Sequence, residues 1–502
     1  MSSPLVARLQ ARKHEQRLAV ADDHESRTFA DLWDGALRTR ATLLDGRASL
    51  DGDVVALFAS PGARWLEAFV GILLAGGVVL PLSAQYPAPE LAWFGRDAHA
   101  TIVIVSDDLR ERAALLCEGR RVLPIGSLRE THSYVDDVSP RNADDVALLL
   151  YTSGTTGKPK GAMITHANVA IQAQLLEEAW VWQTTDLLLH ALPLHHLHGL
   201  GISLMTSVLS GGATRMLSKF DARRVWEEFA GQNPPTTYMA VPTMYQKLFE
   251  AFDAADEATQ KRWAAGAKKL RLATSGSAAL PVTLAERWRS ITGWVPLERF
   301  GMTEIGVGAS NPIDPLGRRP GSVGKPLRTV ESRLVDEAGN EVTSGTGELW
   351  IRGPSVFKGY LGLEKATREA FAEGGWFRTG DVAEISADGY VRLLGRTSVD
   401  ILKSGGYKLS ALEIEEALRE NPAVAEVAVV GLPDETWGER VVAVVVAAPG
   451  RAHECAGDVL RAWAKERMAA YKVPRDVHVV DSLPRNALGK VVKPEVIAGL
   501  RR

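Results

Sequence analysis

The sequence contains almost no cysteine. Among its 502 residues only Cys117 and Cys455 are present, and they lie far apart along the chain. A disulfide framework and a zinc site built from thiolates both require more cysteines than this. The composition therefore indicates a protein of a reducing compartment.

An excess of charge of one sign is also absent. The chain has 58 lysines and arginines against 61 aspartates and glutamates, which gives a net charge of −3 at pH 7. Proteins that bind nucleic acid usually carry a basic surface. We therefore expect no nucleic acid among the main partners.

Long uninterrupted apolar runs are missing as well. The most apolar stretch, WLEAFVGILLAGGVVLPL at residues 65–82, contains Glu67, the pair Gly76-Gly77 and a proline near its end. It predicts a buried helix followed by a buried strand rather than a membrane span. The N-terminal segment has no apolar core typical of a secretory signal, and Glu15 is unusual in a transit peptide. These features predict a cytoplasmic protein without a membrane partner.

What the sequence does contain is the alternation typical of an α/β protein. A chain of this length predicts two or more domains. Between about residues 51 and 388, short apolar runs such as ATIVIVS and VALLLYT alternate with longer amphipathic segments, which predicts βαβ units and mostly parallel sheets. Short strands with nearby turn residues predict a small β-rich subdomain over about residues 321–394.

The C-terminal part of the chain has a different pattern. Ser410-Ala-Leu-Glu413 has the form of a capping box, and apolar residues then recur on one helical face. The runs AEVAVVG, RVVAVVVA and DVHVVDSL predict strands, with a helix over about residues 458–468 between the last two. This part therefore predicts a small α+β domain.

The stretch YTSGTTGKPKGAM at residues 151–163 combines glycines, small hydroxyls and two lysines. A Walker P-loop needs G-x-x-x-x-G-K-[ST] followed at once by a helix. Here Gly154 and Gly157 are only three residues apart, and Pro159 after Lys158 disfavours a helix start. The stretch predicts a phosphate-binding loop of another kind, and the alternative is a surface loop that binds no ligand.

Four further motifs follow in order: ERFGMTE at residues 298–304, RTGD at 378–381, LLGRTSVDILKSGGYK at 393–408 and PRNALGKV at 484–491. With the glycine-rich loop, they resemble the motifs of adenylate-forming enzymes, the superfamily of acyl-CoA synthetases, peptide-synthetase adenylation domains and beetle luciferases. The resemblance covers nearly the whole chain. It implies a two-step reaction: a carboxylate attacks the α-phosphate of ATP to give an acyl-adenylate and pyrophosphate, and the thiol of CoA then displaces AMP.

The resemblance also implies roles at the first step, in which an anion approaches a polyanion. Glu304 would hold Mg²⁺, Thr303 would contact the α-phosphate, and Lys490 would bring the carboxylate and the α-phosphate together. The β- and γ-phosphates would be held by Thr152, Ser153, Gly154, Thr155, Thr156, Gly157 and Lys158. Without the resemblance, Glu304 and Lys490 would be taken for ordinary solvated residues.

The remaining nucleotide contacts implied by the resemblance concern adenine and ribose. Phe300 would lie against adenine, with the backbone of Ser277 and Ala278 at the edge of the pocket. Asp381 and Arg396 would bind the ribose hydroxyls, and the alternative for this pair is an ordinary surface ion pair. The expected AMP site is completed by Glu298, Gly301 and Met302.

Members of the superfamily turn a small C-terminal domain between the two steps. This implies an N-terminal domain over residues 1–396 and a mobile C-terminal domain over residues 397–502, with a hinge near residues 397–400. Asp400 is the candidate hinge residue. After the turn, a tunnel for the pantetheine arm of CoA would be lined by Gly405, Gly406 and Tyr407, since glycine lets the arm pass close to the backbone.

The choice of acid depends on residues near its far end. Arg299, next to FGMTE, could pair bidentately with a second carboxylate and so select a short diacid, whereas the alternative is a surface arginine paired with Glu298. In PLHHLHGLG no carboxylate or cysteine accompanies the histidines, so a metal site is not expected. His196 is predicted to border the acyl site, and His195 and His198 to be structural.

The runs VPTMYQKL, SGSAALP and ERFGMTEIG are similar to those of malonyl-CoA synthetases. The resemblance implies malonate as the acid, with methylmalonate as a second substrate. Another short-chain acyl-CoA synthetase, or a free-standing adenylation domain that loads a carrier protein, would share the motifs. A P-loop kinase or ATPase is disfavoured by Pro159, and a catalytically silent binding protein by the joint presence of Lys490, Glu304 and Asp381.

Overall fold

In a computed structural model, the chain is described over residues 3–131, 134–152, 159–405, 407–486 and 490–501. Most of the residues expected to hold the β- and γ-phosphates lie outside these ranges, namely Ser153, Gly154, Thr155, Thr156, Gly157 and Lys158. Gly406 of the expected CoA tunnel also lies outside them.

The helices are spread over the whole chain. In chain order they are α1 Pro4–Gln10, α2 Phe29–Leu44, α3 Ala63–Leu74, α4 Ala88–Asp97, α5 Ala114–Cys117, α6 His166–Trp180, α7 Thr206–Ser210, α8 Ala222–Phe229, α9 Pro242–Asp253, α10 Glu257–Ala267, α11 Val282–Thr292, α12 Glu364–Ala370, α13 Ala411–Arg419, α14 Gly457–Lys465 and α15 Lys493–Leu500. A π-helical segment, His198–Met205, precedes α7.

The strands form four sheets. In chain order they are β1 Leu18–Ala21, β2 Ser26–Thr28, β3 Val54–Phe58, β4 Val78–Pro81, β5 Ile102–Val105, β6 Arg121–Pro124, β7 Val146–Thr152, β8 Lys160–Thr165, β9 Leu187–His190, β10 Ala213–Met216, β11 Thr237–Ala240, β12 Leu272–Ser275, β13 Leu297–Met302, β14 Gly306–Ser310, β15 Lys325–Pro326, β16 Glu331–Val335, β17 Glu341–Val342, β18 Thr346–Arg352, β19 Gly359–Tyr360, β20 Phe371–Ala372, β21 Trp376–Ile385, β22 Val391–Arg396, β23 Ile401–Ser404, β24 Tyr407–Ser410, β25 Val424–Asp434, β26 Gly438–Ala447 and β27 Asp476–Val479.

Two mostly parallel sheets form the centre of the N-terminal part. One has the strand order β15-β14-β13-β12-β11-β9-β10-β1-β2, with parallel pairing from β13 to β1. The other has the order β19-β8-β7-β4-β3-β5-β6, with parallel pairing from β7 to β6. Strands such as β5 and β11 are buried along their whole length, as expected of parallel strands covered on both faces. The predicted α/β fold is confirmed.

A third, antiparallel sheet follows in the chain. It contains β16, β17, β18, β20, β21 and β22 and spans Glu331 to Arg396. This sheet confirms the predicted β-rich subdomain, although its limits stay a prediction.

The apolar stretch at residues 65–82 is a helix and a strand, as predicted. It covers most of α3 and the whole of β4, and Glu67 in α3 is buried beside Arg27, with Nε to Oε1 at 2.7 Å. The single charge in this stretch is therefore paired inside the protein. Within the described part of the chain, no helix is long and apolar enough to cross a membrane.

The C-terminal part has its own sheet and core. Its strands are arranged β24-β23-β26-β25, with β27 beside β26, and α13 packs its apolar face on them. Ser410 caps α13 by accepting from the N–H of Glu413 at 3.1 Å. The carboxylate of Glu413 instead accepts from Lys472 at 2.8 Å. Only half of the predicted capping box is therefore seen, because a tertiary ion pair competes for the glutamate.

Candidate functional site

The expected site residues gather where several strands end. The loop after β12 carries Ser277 and Ala278, and the turn between β13 and β14 carries Thr303 and Glu304. Parallel strands end at the same edge of a sheet, so β12 and β13 bring these two segments side by side. This edge is where open α/β sheets usually bind ligands.

The glycine-rich loop joins two antiparallel strands. β7 ends at Thr152, β8 begins at Lys160, and these two residues pair across the hairpin. The first helix afterwards, α6, begins only at His166. A Walker loop leads from a strand directly into a helix, so the surrounding fold agrees with its exclusion from the sequence.

Glu304 is buried and held by a tyrosine that the motifs did not reveal. Its Oε1 accepts from the hydroxyl of Tyr360 at 2.9 Å, and Lys160 lies 5.0 Å above the Tyr360 ring. Burial raises the pKa of Glu304, against the opposing effects of Tyr360, Arg396 and Lys160. Glu304 is therefore not an ordinary surface acid. In the described ranges, no three His, Cys, Asp or Glu side chains cluster as metal ligands.

Asp381 and Arg396 form a buried pair rather than a surface one. They lie opposite each other on β21 and β22, and Arg396 Nε is 2.8 Å from Asp381 Oδ1. Asp381 Oδ2 is buried and accepts no hydrogen bond from the described residues. Burial raises the pKa of Asp381 to about 6, although Arg396 and Lys490 oppose this. One carboxylate oxygen is thus positioned to accept from a ligand hydroxyl.

Lys490 faces this pair from the C-terminal part of the chain. The residue is exposed to solvent, yet the surrounding protein and the charge of Arg396 lower the pKa of its ammonium, whereas Asp400 and Asp381 act in the opposite direction. The fold therefore brings Lys490 into the field of the two expected ribose-binding residues. Thr303, in the turn between β13 and β14, is half-buried.

Arg299 is a buried guanidinium without a described acceptor. Only 4% of the residue is exposed, and its Nε and Nη2 atoms have no hydrogen-bond partner among the described residues. It lies against Gly276, where a Cβ atom would come within 2.4 Å of Cζ. Burial lowers the pKa of Arg299 to about 9. The alternative of a surface arginine is therefore wrong, since this charge lies inside the protein.

The histidine segment lies beside Arg299 and the loop after β12. His198 Nδ1 is 3.0 Å from the hydroxyl of Ser277, and His195 stacks on His196 with ring centroids 3.9 Å apart. Burial lowers the pKa of His196 to about 4 and that of His198 well below its usual value. The histidines are thus neutral at pH 7. His198, predicted to be structural, contacts the expected adenine-pocket loop directly.

The other expected AMP-site residues lie on or beside β13. Phe300 is buried in the main core, and Gly301 and Met302 are half-buried at the strand end. The carboxylate of Glu298 is buried and accepts from the N–H of Gly321 at 3.0 Å. Ala278 is exposed. Phe300 therefore has the burial of an ordinary core residue, and its role toward adenine stays a prediction.

The predicted tunnel and hinge residues lie at the start of the C-terminal part. Gly405 has a left-handed φ of 58°, and its N–H donates to Trp437 O at 2.9 Å. The Tyr407 ring stacks on Tyr471 at 4.4 Å. Asp400 is buried and binds Lys493. Sequence reasoning missed Tyr360, Trp437 and Lys493, because each acts through a contact between segments distant in the chain.

Comparisons with known proteins show which family the chain resembles. The chain matches the AMP-binding enzyme family over residues 7–361 and the C-terminal domain of AMP-binding enzymes over residues 413–490. It is 39% identical to a mitochondrial malonate–CoA ligase of Mus musculus, over 96% of this chain and 88% of that protein. It is 38% identical to a malonate–CoA ligase of Arabidopsis thaliana, over 96% of this chain and 86% of that protein. ATP-bound MatB from Rhodopseudomonas palustris is 34% identical and matches with a TM-score of 0.90 over 100% of this chain and 99% of that chain.

Proposed function

The chain belongs to the AMP-binding enzyme family, and from this premise we propose that it is an ATP-dependent malonate–CoA ligase. In the proposed reaction, malonate and ATP give malonyl-adenylate and pyrophosphate. The malonyl group then passes to the thiol of CoA, and AMP is released. Methylmalonate is proposed as a second acid.

The buried guanidinium of Arg299 is the observation that carries the choice of a diacid. A buried charge without a partner is costly, so the guanidinium requires an anion in the working complex. Adenylation uses one carboxylate of the acid, and a second carboxylate on the same molecule would pair with Arg299. Acetate or a fatty acid would leave the guanidinium unpaired, which is a strong basis for rejection. Because His198 beside it is neutral, Arg299 is the side chain of this pair that carries the positive charge.

The nucleotide would bind along the ends of β12, β13 and β21. Asp381 Oδ2, which has no described partner, would accept from a ribose hydroxyl while Arg396 holds Oδ1. Adenine would lie between Phe300 and the backbone at Ser277. Thr303 would contact the α-phosphate. The glycine-rich loop from Thr152 to Lys158 would hold the two phosphates that leave as pyrophosphate.

Glu304 is the residue proposed to hold Mg²⁺. A single carboxylate agrees with the usual Mg²⁺ site, in which one or two carboxylates share the ion with phosphate oxygens and waters. Tyr360 fixes one oxygen of Glu304 by a hydrogen bond and so orients the carboxylate. When bound, the ion would offset negative charge on the phosphates.

Lys490 is proposed to hold the acid carboxylate against the α-phosphate in the first step. For the second step we propose that the C-terminal domain turns about a hinge near Asp400. Gly405, Gly406 and Tyr407 would then line the path of the pantetheine arm. The division of the chain into residues 1–396 and 397–502 is part of this proposal.

The test is a panel of acetate, malonate, methylmalonate and succinate with ATP and CoA, in which AMP and pyrophosphate release is followed. We expect malonate to give the highest kcat/KM. In Arg299→Ala, we expect kcat/KM for malonate to fall by more than about tenfold, or about 1.4 kcal/mol, because the second carboxylate loses its partner. Arg289→Ala, at an exposed arginine of α11, is the matched control. A smaller loss in Arg299→Ala, or a preference of the wild type for acetate, would contradict a diacid site.

The main alternative is loading of a carrier protein. It would share every residue named for the first step but would not require free CoA. Formation of a CoA thioester in the absence of any second protein separates the two. A cytoplasmic location stays a proposal from the sequence.

A further inference from the structure

A glutamate of the C-terminal part contacts the N-terminal part beside the expected nucleotide site. Glu416 lies on α13, and its Oε1 accepts from the backbone N–H of Val282, the first residue of α11, at 2.8 Å. The residue before α11 is Pro281, which makes no side-chain cap. An anion at the start of a helix satisfies a free N–H and suits the helix dipole. The N-terminus of α11 is therefore capped from the other part of the molecule.

The capped end of α11 follows the loop that carries the expected edge of the adenine pocket. Ser277 in this loop has a left-handed φ of 67°, and its hydroxyl is 3.0 Å from His198 Nδ1. Leu280 anchors the loop in the core just before the helix. Glu416 thus joins α13 to the segment proposed to hold adenine.

The surroundings of Glu416 favour this contact. Glu298 lies nearby, and burial together with Glu416 raises the pKa of Glu298 to about 8. Glu298 is therefore mostly neutral at pH 7, which weakens its repulsion of Glu416. By comparison, Glu337 meets Lys403 and Lys408 at 3.5 and 2.8 Å, but all three side chains are more than half exposed. Such exposed ion pairs contribute little to the free energy that holds the two parts of the chain together.

We propose that Glu416 is a positioning residue that docks the C-terminal domain in the orientation used for adenylation. The inference rests on the proposed function, because it requires two steps served by two domain orientations. Glu416 meets Val282 in the same arrangement in which Lys490 faces Asp381 and Arg396. When the domain turns for thioester formation, Glu416 leaves Val282, and water replaces it at the end of α11.

The test measures each step separately in Glu416→Ala, Glu416→Gln and the control Glu420→Ala. Glu420 is exposed at the C-terminal cap of the same helix. Adenylation is followed as malonate-dependent exchange of pyrophosphate into ATP. Thioester formation is followed from supplied malonyl-adenylate and CoA. Both assays use the full chain.

We expect Glu416→Ala to slow adenylation about fivefold, the size of losing a helix N-cap, and to change thioester formation by less than about twofold. Glu416→Gln keeps an acceptor oxygen but loses the charge, so its adenylation rate should lie between those of the alanine variant and the wild type. Glu420→Ala should match the wild type in both steps.

A merely structural cap gives a different result. α11 adjoins the proposed adenine pocket, which both steps use, so a cap that only stabilised α11 would slow both steps together. Equal losses in both steps of Glu416→Ala, or no loss in either, would overturn the docking role. A wild-type chain that releases no AMP with malonate would instead refute the proposed function, and the two failures are thereby distinguished.

Discussion

At the scale of single residues, the proposed site contains charged side chains whose pKa values are shifted from their usual range by burial. Burial lowers the pKa of Arg299 to about 9 and raises that of Asp381 to about 6. Each retains a polar atom without a described partner. A buried group in this condition favours a complementary ligand group over water, and the proposed selectivity for a diacid rests on this preference.

Glu298 provides a test of these environments through the pH dependence of stability. Burial raises its pKa from the usual 4.5 to about 8, so between these values the folded chain holds a proton that the unfolded chain has released. The contribution of Glu298 to stability therefore falls as pH rises through this window. We expect Glu298→Gln, which stays neutral and keeps an acceptor for Gly321, to gain stability relative to the wild type from pH 5 to 8, by up to about 1.4 kcal/mol per pH unit.

The measurement is chemical denaturation of both chains at several pH values. Glu373→Gln is the matched control, because it makes the same substitution at an exposed glutamate. Its stability difference from the wild type should not change with pH. A pH-independent difference for Glu298→Gln as well would show that Glu298 is ionised in the folded protein.

The residue types of the site could be predicted from the sequence, but their environments could not. Arg299, Asp381 and Lys490 were singled out by motifs, and the fold brings Asp381 and Lys490 into the same region. Whether Arg299 was buried or paired with Glu298 at the surface depended on how β13 packs, which no short motif specifies. Tyr360 carries no motif signal of its own, because its role arises only where its segment meets Glu304.

At the scale of elements, a buried cluster of ion pairs connects the last helix, α15, to the segment between β22 and β23 that contains Asp400. Lys493, the first residue of α15, places its Nζ 2.5 Å from Asp400 Oδ1 and 2.8 Å from Glu415 Oε1. Asp400 Oδ2 also accepts from the N–H of Arg396 at 3.0 Å, and Glu415 Oε1 from that of Val429 at 2.8 Å. The cluster therefore joins the segment around Asp400 to α13, β25 and α15.

We expect Lys493→Met to be strongly destabilising, by about 3–5 kcal/mol, because it removes the cation that two buried carboxylates share. Glu415 keeps Arg419, with Nη2 3.3 Å from Oε2, whereas Asp400 loses its paired lysine. Combining Lys493→Met with Asp400→Asn and Glu415→Gln should recover most of this loss, since the amides keep acceptor oxygens and carry no charge. Denaturant midpoints of the full chain provide the measurement. Lys472→Met is the matched control, because the Lys472–Glu413 pair is more exposed and should be worth about 0–1 kcal/mol.

If the triple variant were no more stable than Lys493→Met, packing of the lysine stem rather than charge would explain the loss. A loss of stability for Lys493→Met no larger than that for Lys472→Met would show that water solvates the carboxylates of the cluster once the lysine is removed. Both outcomes are readable from the same set of denaturation curves.

Most elements could be predicted from local patterns, but their partners could not. Residues 65–82 form α3 and β4 because turn-forming glycines divide an apolar run. The α13 pattern revealed an apolar face, yet Glu415 is buried on that helix beside Lys493, far along the chain. The capping box was half wrong for the same reason, since Lys472 binds Glu413. Periodicity reports which face is buried and carries no information on long-range ion pairs.

At the scale of the whole molecule, residues of both parts of the chain meet at the proposed nucleotide site. Lys490 and Glu416 come from the C-terminal part, and Asp381 and Val282 from the N-terminal part. The change of sequence pattern after Arg396 predicted two parts, and the resemblance to adenylate-forming enzymes implied that they act together. The contact between Glu416 and Val282 was not predicted, because it depends on the relative placement of two parts of the chain that have separate sheets.

Lys490→Ala tests whether the two parts cooperate in one step or in both. We expect the variant to lose adenylation by more than about a hundredfold, because it removes the cation that is proposed to offset the repulsion between malonate and ATP. Thioester formation from supplied malonyl-adenylate should remain close to the wild-type rate, since Lys490 would have turned away from the site by then. Lys465→Ala, at an exposed lysine of α14, should leave both steps unchanged. Equal loss of both steps in Lys490→Ala would mean that one fixed arrangement serves the entire reaction, and the proposed turn of the C-terminal domain would have to be abandoned.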